Sequence, residues 1–146
     1  MMAVLLVAAA GCAKQGSAVM DVNQVADQAA KTVKFTDQMS AIDQKTVDKI
    51  YGLSDADVVK AKAYESTGAT AEEVAAFEAK DDAAAKTVMD AVSKRVENQK
   101  AGFQDYQPKE MQKLGTPLIE QKGKYIFLCV ADDTSPAKQV IDSAAK

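Results

Sequence analysis

The stretch from Asp81 to Tyr106 most constrains the fold of this chain, because its apolar residues repeat at helical rather than strand spacing. Ala85, Val88, Met89, Val92, Val96, Gln99, Phe103 and Tyr106 recur at three- and four-residue steps, which at about 100° per residue puts them on one stripe. Lys86, Asp90, Lys94, Glu97, Asn98 and Asp105 fill the remaining circumference. One long amphipathic helix is therefore predicted in mid-chain, its stripe on a core and its back in water. Asp81 or Asp82 caps its start, where the helix dipole favours negative charge, and Pro108 ends it by disfavouring helical geometry at Gln107.

Segments on either side read as helices and strands in turn. Asp21 caps a first helix with Val22, Val25, Ala26, Ala29 and Val33 on one face. Phe35, Met39 and Ile42 fall in a mixed connection. A shorter helix follows over Asp43 to Tyr51, with Val47, Ile50 and Tyr51 inward and Gly52 as its stop. Val58 to Ser66 alternates at period two, which means strand. After the long helix, Lys109 to Leu114 forms a last turn. Pro117 to Gln121 and Lys124 to Ala131 then make a hairpin about Lys122-Gly123, its second strand apolar on both faces and hence central. Asp132 to Ser135 supplies caps, Pro136 suits a first helical position, and Val140, Ile141 and Ala144 dock a closing helix.

Local signals conflict over Glu72 to Lys80. Thr70-Ala71-Glu72-Glu73 resembles a capping box and the Ala/Glu composition favours helix. A strand at 58–66 needs a partner, however, and the short link through Thr67-Gly68-Ala69 suits an antiparallel hairpin. Strand is the reading adopted. The expected fold is α+β: an antiparallel sheet of about four strands, in two hairpins, with the long central helix and the N- and C-terminal helices packed on one face. At 146 residues the chain fits one core, expected over residues 21–146.

Met2 to Gly11 is uncharged and rich in Leu, Val and Ala, yet too short for a bilayer core that takes about 20 residues. It reads as the apolar part of a signal peptide over residues 1–11. Ala9-Ala10-Gly11-Cys12 then looks like a bacterial lipobox, with Cys12 as the acylated first mature residue and residues 12–20 as a tether. No Lys or Arg precedes the run, which points to a true start upstream of Met1, and Ala9 stands where Leu is commoner. An ordinary signal peptide ending near a Cys is the alternative. Cys129 is left without a partner in an apolar run and reads as a small buried hydrophobe.

Composition excludes several functions. A net charge of −3 with mixed signs and no basic stripe argues against nucleic-acid binding. With His absent, Ser-His-Asp and Cys-His nucleophiles and imidazole metal sites are not available. No run has calcium-loop spacing, and no cofactor or metal is expected.

Taken together, the lipobox Cys12, Tyr51-Gly52-Leu53 with Asp57 and Val58, Gly68-Ala69 with Glu73-Val74-Ala75, Lys94-Arg95-Val96-Glu97-Asn98-Gln99, Tyr106 with Pro108, and Gly123-Lys124-Tyr125 leading to Asp132-Asp133 resemble a family of small secreted lipoproteins of Gram-positive bacteria, classed as a domain of unknown function. The resemblance implies a strand around Glu73. It implies no activity, and no functional residue is transferred from it.

Candidate sites come from the residues themselves. Arg95, Gln99, Gly102 and Tyr106 lie within about 60° along one edge of the long helix. They would make a recognition ridge, with Arg95 as a fork for a carboxylate or phosphate and Tyr106 as a platform. Alternatively, Arg95 and Gln99 bond backbone in the connection from Gln107 to Pro117. Glu73, Asp132 and Asp133 offer paired carboxylates for acid–base work, against which Asp133 is placed to cap a helix. Tyr64 with Lys60 and Lys62 makes either an exposed ligand surface or a solvated sheet face.

The function expected is a binding or accessory module held outside the cell membrane by lipid on Cys12, with another envelope protein as partner and no enzymatic activity. Small-ligand binding is the alternative, and a carboxylate-dependent envelope hydrolase the weaker one.

Overall fold

The computed structural model describes residues 18–146. The proposed signal peptide and Cys12 lie outside them. Five helices and five strands follow in the order α1 (Val22–Thr32), β1 (Ser40–Ile42), α2 (Gln44–Tyr51), β2 (Val58–Glu65), β3 (Glu73–Ala79), α3 (Asp82–Tyr106), α4 (Met111–Gly115), β4 (Leu118–Lys122), β5 (Tyr125–Val130) and α5 (Ser135–Ala144), with a 3₁₀ turn at Pro108–Glu110 before α4.

Side-chain caps set several helix starts. Asp21 accepts from the Asn23 amide, Asp43 from Thr46 and Asp81 from Ala84, each satisfying a backbone donor that the first turn leaves free. Gly52 ends α2 in the left-handed region at φ 68°, where a Cβ would be strained.

All five strands form one antiparallel sheet, ordered β1-β2-β3-β5-β4. The strand not foreseen is β1. It is only three residues long, too short to display a period, and it forms by pairing Ser40–Ile42 with Glu65, Tyr64 and Ala63 of β2. Residues 73–79 are strand, as adopted. Their Ala and Glu favour helix locally, but β3 lies between β2 and β5 and is buried along nearly its whole length, so tertiary pairing overrides propensity.

Helices cover both faces of the sheet, where one was expected. On the first face α2 and α3 bury Val47, Val88, Val92 and Val96 against Ala61, Phe77, Ile126 and Leu128. On the second, α1 and α5 bury Val22, Val25, Ala26 and Ile141 against Ala76, Tyr125 and Phe127, and Ala29 and Ala137 pack near Val74 and Cys129. Alternate residues of β3 and β5 thus enter two separate cores, which is why these strands are apolar throughout. The reading of Tyr64, Lys60 and Lys62 as an open face is corrected accordingly. Asp27 of α1 accepts from Tyr64 at 2.7 Å and pairs with Lys62 at 2.5 Å, while Asp21 lies 3.9 Å from Lys60.

Candidate functional site

The hairpin β2–β3 turns through Gly68, whose φ of 96° favours a residue without a Cβ. Its register sets Glu65 directly opposite Glu73, both on the face covered by α3. Two like charges at paired positions repel. Arg95 of α3 bridges them: its Nε donates to Glu73 Oε2 at 3.0 Å, and its Nη2 donates to Glu65 Oε1 at 2.6 Å and lies 3.0 Å from Glu73 Oε2. The other Glu73 oxygen accepts the Tyr51 hydroxyl of α2. Tyr51 also stacks edge-on to Phe77, with ring centroids 4.9 Å apart, and lies under the guanidinium.

Burial grades the cluster from floor to rim. The Glu73 side chain is 2% exposed, Arg95 19% and Glu65 27%. Burial and the neighbouring Glu73 charge raise the Glu65 carboxyl above its usual range, against the pull of Arg95. Burial alone would lower the Arg95 guanidinium, but Glu73 and then Glu65 hold it raised. The Tyr51 hydroxyl is pushed well up by burial and by the Glu73 charge.

Above this cluster opens a cleft of about 270 Å³ between the hairpin and α3. Arg95, Gln99 and Phe103 form its helical wall, and Glu65, Ser66 and Thr70 stand on the hairpin side. The three helical residues are four apart in sequence, the row that runs along a helix surface. Of the ridge foreseen from sequence, Arg95 and Gln99 therefore meet in the cleft. Phe103 is the next member of the row; Tyr106 stands 65% exposed, its ring 6.0 Å from that of Phe103, and Gly102 is exposed. The alternative for Arg95, bonding to the 107–117 connection, is replaced by its reach across to the sheet.

A second buried network braces the far side of the hairpin. Glu72 accepts from the Thr36 and Asp37 amides, each at 3.0 Å, and from Lys113 of α4 at 3.1 Å. Glu110 accepts from the Ala71 amide at 2.9 Å and pairs with the same lysine at 3.2 Å. Asp37 holds the turn itself through the Thr67 amide and hydroxyl. Burial would raise the Glu72 carboxyl, but the Thr36 amide and the Lys113 ammonium hold it below its usual range.

The carboxylates considered for acid–base work do not converge. Glu73 is taken by Tyr51 and Arg95, Asp133 accepts from the Ser135 amide at the start of α5, and Asp132 lies 4.0 Å from Lys113. Cys129 is buried and its thiol is pushed up to about 12 by burial. Among the described residues no group of three or more His, Cys, Asp or Glu side chains could hold a metal ion, and no helix is long and apolar enough to cross a membrane.

Sequence reasoning placed Tyr51 in the core and did not join Glu65 to Glu73. The usable signal was the turn, since the two glutamates are equidistant from Ala69 and any hairpin centred there sets them opposite one another.

Fold and site together define an α+β chain whose antiparallel sheet lies between two helical layers and whose hairpin and longest helix enclose a charged cleft. By sequence, the chain belongs to the family described as Domain of unknown function (DUF4358), which matches residues 31–131. No curated protein and no solved structure matches it significantly.

Proposed function

We propose that this chain is a binding module held outside the cell membrane by acylation of Cys12, and that its recognition site is the cleft beside Arg95. The observation that carries the reading is the convergence of Arg95, Gln99, Glu65, Ser66 and Thr70 around a concave space whose buried Glu73 is already held by Arg95 and, from beneath, by Tyr51. A concave site with a few fixed polar groups and an apolar edge, here Phe103, is the usual form of a small-ligand site. The ion cluster keeps Arg95 in one rotamer, so little entropy is lost when a ligand docks. The exposed large apolar residues Val19, Val59 and Tyr106 support a broad protein interface less than the cleft supports a small polar ligand. A hydrolase has the least support, because Glu73 is saturated by its partners.

The anchor rests on the lipobox sequence around Cys12 and on the resemblance to Gram-positive lipoproteins. Intact mass of protein extracted from membranes should show a diacylglyceryl-type increment that Cys12→Ala removes. Unmodified protein in the medium would end the anchor reading. For the cleft, a heat-shift screen of small polar metabolites should give compounds that stabilise wild type and not Gln99→Trp, whose indole fills the space; a ligand present at 100 times its Kd adds about 2.7 kcal/mol. Compounds that stabilise both equally would place recognition elsewhere.

A further inference from the structure

The charges around the cleft are unbalanced in a way that names a ligand class. Glu65 and Glu73 share the single cation Arg95, and behind the hairpin Glu72 and Glu110 share the single cation Lys113. The Arg95 cluster therefore carries one negative charge in excess, the Lys113 cluster carries at least one, with Asp132 also 4.0 Å from that lysine, and both lie at the same end of the sheet. At the cleft the excess sits on Glu65, the most exposed member of its cluster, whose Oε1 is taken by Arg95 while the carboxylate borders the open space. Across from it stands Gln99 on α3, and beside it on the hairpin are the Ser66 and Thr70 side chains, groups able to accept from a donor that Glu65 also binds.

We propose that the cleft receives the primary ammonium group of a small ligand, bound by Glu65 with Gln99 and Ser66 as further acceptors and with the adjoining carbon chain on Phe103. This rests on the cleft being the recognition site and specifies what enters it. An ammonium supplies the positive charge that two facing carboxylates with one arginine lack, and its three donors suit acceptors on more than one side. A carboxylate or phosphate would add to the negative excess, although Arg95 lines the same space; this arginine is already committed to two glutamates.

The test uses pentylamine, pentanoate and pentanol as probes of equal length, followed by amide NMR at Gly68 and Gln99 in the wild-type protein. Pentylamine should shift both resonances saturably, and more weakly as salt rises. Glu65→Gln keeps the shape and removes the charge, and should weaken amine binding about tenfold or more. Gln99→Lys places an ammonium of the protein's own in the cleft and should abolish amine binding in a folded protein. Equal binding of pentanoate, or amine binding unchanged in both variants, overturns the ammonium assignment. If pentanol or pentanoate alone shifts these amides, the assignment falls while the cleft stands as the site; if none of the three does, both fall.

Discussion

Replacing Arg95 by Met removes the guanidinium while keeping an unbranched stem over the Tyr51 ring. Charge-assisted contacts to two carboxylates disappear, from Nε and Nη2 to Glu73 Oε2, each at 3.0 Å, and from Nη2 to Glu65 Oε1 at 2.6 Å, and the two carboxylates are not equivalent. Glu65 is 27% exposed and can turn to water, so its share is about 1 kcal/mol or less. Glu73 is 2% exposed and is left with the Tyr51 hydroxyl alone. Breaking one side of a buried pair costs about 3–5 kcal/mol, because the remaining charge stays buried without compensation. Recovery of the arginine's own desolvation puts the expected loss at the lower end, about 3 kcal/mol. For a chain of this size that is a fall in Tm of roughly 10 °C. Urea denaturation followed by far-ultraviolet circular dichroism measures it directly. The double variant Glu73→Gln/Arg95→Met should recover about 2 kcal/mol relative to the sum of the single changes, since it leaves no stranded charge. A loss below about 1 kcal/mol for Arg95→Met, or strict additivity in the cycle, would refute the argument and reduce the cluster to a surface ion pair.

Other perturbations separate the two networks and the two cores. Glu72→Gln should cost about 3 kcal/mol at pH 7, because Lys113 loses its most buried carboxylate, keeping Glu110 and the more distant, exposed Asp132, and two amides lose a charged acceptor. The folded Glu72 carboxyl is held low, so its contribution is present above the ordinary value of 4.5 and is lost as pH falls through the lower folded value; acid titration of stability should be flatter in the variant over that window. Phe77→Ala, at a fully buried ring beside Tyr51, should lose about 3–5 kcal/mol in the same urea assay; a loss under 2 would mean the core collapses around the gap. Cys129, with its thiol pushed up to about 12, should resist alkylation at pH 8 until urea unfolds the chain, and rapid native labelling would show that α1 and α5 open freely.

Much of the fold was legible because local patterns and tertiary structure agree. The stripe of α3 has the period of a helix whatever it packs on, Asp21, Asp43 and Asp81 cap where they stand, and Gly52 stops α2 by its own backbone freedom. Where the chain carries no local pattern, only packing decides. In β1 three residues hold no period, and a strand forms there because β2 has an edge to offer. The apolar run of β5 told that it was central, yet the matching burial of Val74, Ala75, Ala76 and Phe77 in β3, and the helical layer on each side, required both sheet neighbours to be known. The open sheet face expected around Tyr64 is closed by α1, an element whose docking no residue in β2 announces.

The site divides along the same line. By itself the sequence determined that Arg95 and Gln99 lie together on one helix edge, since a helix of 3.6 residues per turn fixes neighbours four apart, and it supplied the turn about which Glu65 and Glu73 are symmetric. It could not choose the partners of Arg95, nor bring Tyr51 beneath it, because these depend on strand register and on the docking of α2 and α3 over the hairpin. Charges distant in the chain meet only once the sheet has formed. Tertiary structure alone therefore decided that two carboxylates share one arginine at the edge of a cleft, and the physical reason is that the electrostatic balance of a buried cluster is set by distances between elements rather than along the chain.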